Sequence, residues 1–171
     1  MALTVVATAG ASTANSYCTR AEANTYHEAH PYASTWDAAG DTDKDKAIVT
    51  ATRLLDEHVE WEGVASTTTQ ALGWPRIGLE DLNGNAIDSA AVPQKLKDAV
   101  AEFARWILAA DRMADSDVEA QNLRSLKAGP VALEFGPGVR AKVIPDAVWY
   151  MVRQWGTVRQ RSGASVPLER V

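Results

Sequence analysis

His27 and His30 stand at i, i+3, with Glu28 between them and Glu57 further along the chain. That spacing can place two metal ligands on one helix face. Pro31 directly follows His30, so the helix frays there and no compact ligand set closes. Surface or partly buried histidines, and no metal, are the expectation. Asp37, Asp41, Asp43 and Asp45 have some of the spacing of a calcium loop. They lack its mid-loop glycine and its bidentate glutamate at the twelfth position, so they read as a solvated helix entrance. Cys18 would need a general base and a polarised site to act as a nucleophile, and neither is in view; a small buried filler is its expected role. Phe135-Gly136-Pro137-Gly138 lacks a following Lys-Ser or Lys-Thr, and its proline removes an amide donor, so it is no phosphate loop. Six tryptophans, at 36, 61, 74, 106, 149 and 155, could stack on single-stranded bases. Such platforms need a cationic groove, yet Asp37, Glu60, Glu62 and Asp146 neighbour several of them. Core packing and subunit interfaces are better uses of these rings. The chain calls for no enzyme chemistry and no cofactor.

The stretch Ala71-Leu72-Gly73-Trp74-Pro75-Arg76 carries a different message. Glycine relaxes the backbone, while Pro75 fixes its own φ and restricts Trp74 to extended geometry. A bulky aromatic is thus held in a stiff turn between two helical regions. This is a structural knuckle, and the chain's own core is the favoured place for Trp74.

The elements that must position these residues are mostly helical. Thr19 to Glu28 opens with a capping box between Thr19 and Glu22 and is stopped at His30-Pro31. Tyr32 to Asp37 spaces its aromatics four apart, as a helical turn requires. A long helix starts near Asp43, with Ile48, Ala51, Leu54, Leu55 and Val59 as its apolar face and Trp61 and Gly63 at its end. Asn83-Gly84-Asn85 marks a two-residue turn between short extended arms. Pro93, at the first helical position, opens the clearest helix. Leu96, Val100, Phe103, Ala104, Ile107 and Leu108 line one face of it, and Lys95, Lys97, Asp98, Glu102 and Arg105 the other. Asp115 to Asn122 is a loop, Val131 to Phe135 alternates like a strand, and Ile144-Pro145-Asp146 begins a last helix that Gly156 ends as its C′ residue. Leu3 to Val6 is a short strand or extended arm. The expected fold is mainly α: a small bundle of three to four helices with short β elements and an extended C-terminal tail. The expected division is a helical domain over 1–156 and a tail over 157–171.

A chain of 171 residues suggests one domain that buries roughly two-thirds of its unfolded surface without disulfide or metal. One cysteine excludes an intramolecular disulfide and fits a reducing cytoplasm. No apolar run approaches the roughly 18 residues of a membrane span. Met1 to Ala14 is apolar but has no positive n-region, since the first cation is Arg20. Residues 1–150 hold 13 Lys/Arg against 21 Asp/Glu, and residues 151–171 hold 4 against 1. The body is therefore acidic at −8, which argues against nonspecific affinity for nucleic acid, and the tail is basic at +3.

Several pieces stand in an ordered series. Asn15-Ser16-Tyr17 leads into Ala21 to His27, followed by Ala51 to Asp56, Ala71 to Arg76, and Val92 to Ala99. Leu126 to Gly129, Val131 to Phe135 and Ile144-Pro145 close it. The series, over residues 1–156, resembles a family of tailed-bacteriophage head–tail connector (adaptor) proteins, whose members often carry the label DnaT-like single-stranded DNA-binding protein. The resemblance implies a homo-oligomeric ring, commonly of twelve copies, under the phage portal protein. The ring prolongs the channel for double-stranded DNA, which passes without specific binding, and its far end receives a downstream neck or tail protein. The place implied is the virion neck, after synthesis in the host cytoplasm, with no membrane. In similar adaptors the C-terminal segment reaches the portal. Here Arg159, Arg161, Val166, Pro167, Leu168 and Val171 would supply that contact, and Trp36, Trp61 and the Trp74-Pro75-Arg76 knuckle would brace the fold or touch a neighbouring subunit. The rival expectation is a single-strand-binding replication accessory. It would use Trp and Tyr stacking with Arg153, Arg159 and Arg161 on phosphates.

Overall fold

A computed structural model of the chain describes residues 3–114, 125–128, 131–134 and 142–159. Among the described residues there are five helices: α1 (Arg20–Glu28), α2 (Ser34–Ala38), α3 (Asp41–His58), α4 (Gln94–Ala109) and α5 (Asp146–Val152), the last running into a 3-10 turn at Arg153–Trp155. Three two-stranded antiparallel sheets join them. They pair β1 (Val59–Trp61) with β6 (Gly156–Val158), β2 (Val64–Ala65) with β3 (Arg76–Ile77), and β4 (Ser125–Ala128) with β5 (Val131–Glu134). The fold is mainly α, as expected.

Helix α4 is the centre, with α1, α2, α3 and α5 all packed on it. Its periodic apolar residues explain this. Leu96, Ala99, Val100, Phe103 and Ala104 are buried, and they meet the Ile48, Ala51, Leu54 and Leu55 face of α3 in one core. Helix α1 begins with the expected capping box: the Thr19 hydroxyl accepts from Glu22 N at 3.2 Å, and the Glu22 carboxylate accepts from Thr19 N at 2.7 Å. Lys97 of α4 then donates to Glu22 at 2.6 Å and ties α1 to α4. The N-terminal segment is an extended arm without strand pairing. Asn15 holds it, accepting from Val6 N at 2.8 Å and donating to Thr4 O at 2.8 Å.

Several elements differ from the sequence reading. Helix α3 starts at Asp41 behind Gly40, and Val59 leaves the helix to open β1. Pro93 is the N-cap and Gln94 the first helical residue, because its ψ of 140° is extended. The Asn83-Gly84-Asn85 segment lies in a five-residue loop closed by a Glu80–Ala86 bridge, with Gly84 at positive φ. Asp81 organises this loop by accepting from Asn83 N and Asn85 N. Gly156 is no C′ cap: at φ −179° it is extended and starts β6. Glycine is needed there because an added Cβ would stand 2.6 Å from Glu60 O on the paired strand. Strand β6 runs two residues past the expected boundary at 156, and Arg159 N still donates to His58 O at 2.8 Å. The strand expected from Val131 pairs with β4, which the sequence reading did not identify. The expected Asp115–Asn122 loop, Phe135 and the Gly136-Pro137-Gly138 breaker lie outside the described residues.

Glu102 was expected on the solvent face of α4 and is instead buried. Arg105 neutralises it, Trp106 Nε1 donates to it at 2.9 Å, and His30 Nε2 lies 3.7 Å away. A buried carboxylate is tolerated when charge and donors surround it in this way. The Tyr26 phenol, close by, is pushed up to about 12 by burial and by the Glu102 charge.

Trp74 is buried in its own core, edge-on to Trp61 and Trp155 at centroid distances of 5.9 and 5.3 Å. Truncation of a fully buried tryptophan costs about 3–5 kcal/mol. Trp74→Ala is therefore expected to lower the unfolding free energy by that amount in urea titrations. A change under about 1 kcal/mol would contradict this packing.

His27 is also buried, its ring 4.6 Å from that of Trp36. Its Nε2–H donates to Ala101 O at 3.0 Å, and the buried Nδ1 has no hydrogen-bond partner. Burial, the largest cause, holds the imidazole below its ordinary value of 6.5. The unfolded chain therefore takes up a proton that the folded chain refuses. His27's contribution to stability is complete above pH 6.5 and is lost as pH falls from 6.5 towards the lower folded value. Urea midpoints measured from pH 7 to pH 5 should fall, and His27→Leu should flatten that slope.

Candidate functional site

The knuckle is built around one carboxylate. Asp56, in the last turn of α3, accepts from the Tyr17 hydroxyl, from Trp61 Nε1 at 2.8 Å and from Gly73 N at 3.0 Å. The Tyr17 phenol is raised well above its ordinary value, first by burial and then by the Asp56 charge, which keeps it a donor. Gly73 must be glycine, because an added Cβ would lie 2.8 Å from the Trp61 ring and 2.9 Å from the Asp56 carboxylate. The chain then turns Trp74 inward through a cis Trp74–Pro75 bond, and Pro75 is buried as well.

Arg76 closes the knuckle through backbone carbonyls. Its guanidinium donates to Glu62 O, to Gly73 O at 2.9 Å, to Trp61 O at 3.2 Å and to Gly63 O at 2.8 Å. Arginine's fixed fork of donors suits several carbonyls at once. The β2–β3 ribbon follows directly, with Val64 opposite Ile77 and Ala65 opposite Arg76.

The aromatics named from the sequence fall into separate places. Trp36 is buried, donating from Nε1 to Asn24 at 3.0 Å, and Trp74 is buried at the knuckle. Each ring fills a gap in its own chain's core. Trp61 is half-buried, with its N–H committed to Asp56. Trp155 is buried, and Trp106 and Trp149 are half-buried. No tryptophan is among the exposed large hydrophobic residues. Arg105 and Arg112 lie over the Trp106 ring at 5.4 and 5.6 Å.

The exposed aromatics are Tyr32 and Tyr150, with Arg153 stacked on Tyr150 at 4.9 Å. Sequence reasoning named Arg153 but not its partner. The i, i+3 spacing of Tyr150 and Arg153 on the last helix was the available signal. Arg159 is exposed beside the end of β6. Arg161, Val166, Pro167, Leu168 and Val171 lie outside the described residues.

Other candidate chemistry finds structural employment. Arg20 bridges to Asp41 at 3.1 Å and Asp45 at 3.3 Å, while Asp43 pairs with Lys46 at 3.0 Å. Among the described residues no group of three or more His, Cys, Asp or Glu is placed to hold a metal ion. Burial pushes the Cys18 thiol up to about 12, far from a reactive thiolate. Among the described residues no helix is long and apolar enough to cross a membrane. A shallow groove of about 710 Å³ between α1 and α4 is lined by Ala21, Tyr26, Ala29, His30 and Asp98 among others.

The arrangement is one of rigid packing around Asp56 and Glu102, with apolar and charged surface on β2–β3 and on α5. No curated protein and no solved structure matches the chain. A family model does, over residues 1–171, and the chain belongs to the family that this model describes as "Putative DnaT-like ssDNA binding protein".

Proposed function

We propose that this protein is a structural head–tail connector of a tailed bacteriophage, a subunit of a ring beneath the portal that extends the DNA channel toward the tail. The carrying observation is the use of the tryptophans. All six are buried or half-buried, in a body whose first 150 residues carry a balance of −8. Aromatics spent on packing give a stiff building block, and an acidic wall repels phosphate and lets duplex DNA slide. In this reading the ring is a homo-oligomer, commonly of twelve copies. The basic C-terminal segment, with Arg159, Arg161, Val166, Pro167, Leu168 and Val171, docks on the portal protein, and the far end of the ring receives a neck or tail protein. No catalysis and no cofactor is involved.

Thr157 and Val158 belong to a paired strand, so the tail is best cut after Arg159. A chain lacking 160–171 should keep its helical circular dichroism and its melting temperature yet fail to join portal-bearing heads to tails. Undiminished joining would remove the docking role of the tail.

A second reading, single-strand binding in a replication accessory, is favoured by the family's description and by the exposed Tyr150–Arg153 pair. Stacking on an aromatic is worth about 1–3 kcal/mol per base. The connector reading expects no binding of a fluorescent oligonucleotide below about 0.1 mM at physiological salt, the weak end of nonspecific affinity. Micromolar binding with a steep salt dependence, lost in Tyr150→Ala, would replace the connector reading with this one.

A further inference from the structure

We infer that α2 is an acid-sensitive lid over the His27 imidazole: it opens from the core as a local unit, and the open form gains population as pH falls. The inference goes beyond the connector reading and does not depend on it.

Helix α2 is held by few contacts. Its five residues are far short of the roughly 12 at which an isolated helix becomes even marginal in water. Its N-cap, Ala33, supplies no side-chain hydrogen bond, and within Ser34–Ala38 only Trp36 is buried. The backbone bonds from Asp37 N to Ala33 O and from Ala39 N to Trp36 O stay within the turn itself. Trp36 is thus the anchor. Its ring stacks on His27 at 4.6 Å with an interplanar angle of 32°, its Nε1 donates to Asn24 Oδ1 at 3.0 Å, and Lys44 of α3 lies 5.3 Å from its centroid. A segment with one buried anchor and local backbone bonds can open without the rest of the domain.

The closed lid suits a neutral ring alone. His27 is 2% exposed, its Nε2–H is spent on Ala101 O, and its Nδ1 has no partner. A second proton would set both a charge and an unpaired N–H inside the core. The surrounding groups do not offset that cost. Burial disfavours the charged ring most; Ala101 O and Glu102 of α4 favour it, while His30 beyond α1 and Arg105 of α4 oppose it. Asp37, the charged residue of α2, is exposed. With α2 open, Trp36 no longer covers the ring, water reaches it, and it takes up its proton at the ordinary value of 6.5. Acid therefore favours the open form, by up to about twentyfold between pH 7 and pH 5. Opening bares an indole that neutral pH keeps hidden.

The test is amide hydrogen exchange on the full chain at pH 7 and pH 5, corrected for the intrinsic pH dependence of exchange. The amides of Asp37 and Ala39 report α2, and those of Val100 and Ala104 report the centre of α4. At pH 7 the α2 amides should already exchange through an opening far more populated than that of α4. At pH 5 their opening constants should rise by more than about twofold and up to about twentyfold. His27→Leu should abolish that rise. His27→Gln, which keeps a donor for Ala101 O and cannot titrate, replaces it if the leucine variant fails to fold. Equal protection of α2 and α4 at both pH values would make the opening global and overturn the lid. A pH-independent α2, or a rise that persists in the His27 variants, would overturn the link to the imidazole. A rise seen in the last turn of α1 and not in α2 would overturn the assignment of the moving element.

Discussion

Asp56 is the point at which the helical body and the loop region become one structure. Its carboxylate gathers a phenol from the start of the chain, an indole from β1 and a backbone amide from the knuckle. Hydrogen bonds to a charged acceptor contribute about 1.5–3 kcal/mol each, and leaving any of these partly buried partners unpaired costs a comparable amount. The geometry matters as much as the energy. Because Gly73 N reaches Asp56 past the Trp61 ring, residue 73 has no room for a Cβ, and the chain goes on to set Trp74 against Trp61 and Trp155. Arg76 then collects the carbonyls of the strand turn and fixes β2 against β3.

A second buried carboxylate does a related task at the far side of α4. Glu102 collects Arg105, Trp106 and His30 and so joins α4 to the end of α1. Together the two acids explain how a body with short helices such as α2 and α5 stays specific: polar hubs fix register where apolar contact alone would leave it loose. His27 adds a third constraint, since its unpaired Nδ1 is compatible only with the neutral ring.

What was legible in the sequence follows the range of the forces involved. The period of α4 and the capping box of α1 are local, and both stand where the residues indicated. The stiff turn at Trp74-Pro75 was visible, and so was its inward-facing ring. The Asp56 hub was not, because its three donors come from positions 39 residues before, 5 after and 17 after it. Glu102 looked like a surface residue because periodicity marks the polar edge of a helix but does not say what packs over that edge. Gly156 looked like a helix cap, and only the approach of Glu60 O from the paired strand accounts for it. Strands of two or three residues, such as β1, β2, β3 and β6, are too short for alternation to register. The roles of Trp36 and Trp61 were left open by type and spacing, since a surplus tryptophan reads the same whether it fills a core or a subunit contact.

The knuckle also shapes the surface. In most chains an arginine amid six acidic residues would neutralise some of them. Here the Arg76 guanidinium is turned to the backbone and donates to the carbonyls of Trp61, Glu62, Gly63 and Gly73. Satisfying that backbone draws the one Lys or Arg of residues 57–91 away from the acidic side chains of the same stretch. The same side chain that makes the turn rigid thus gives the ribbon its sign.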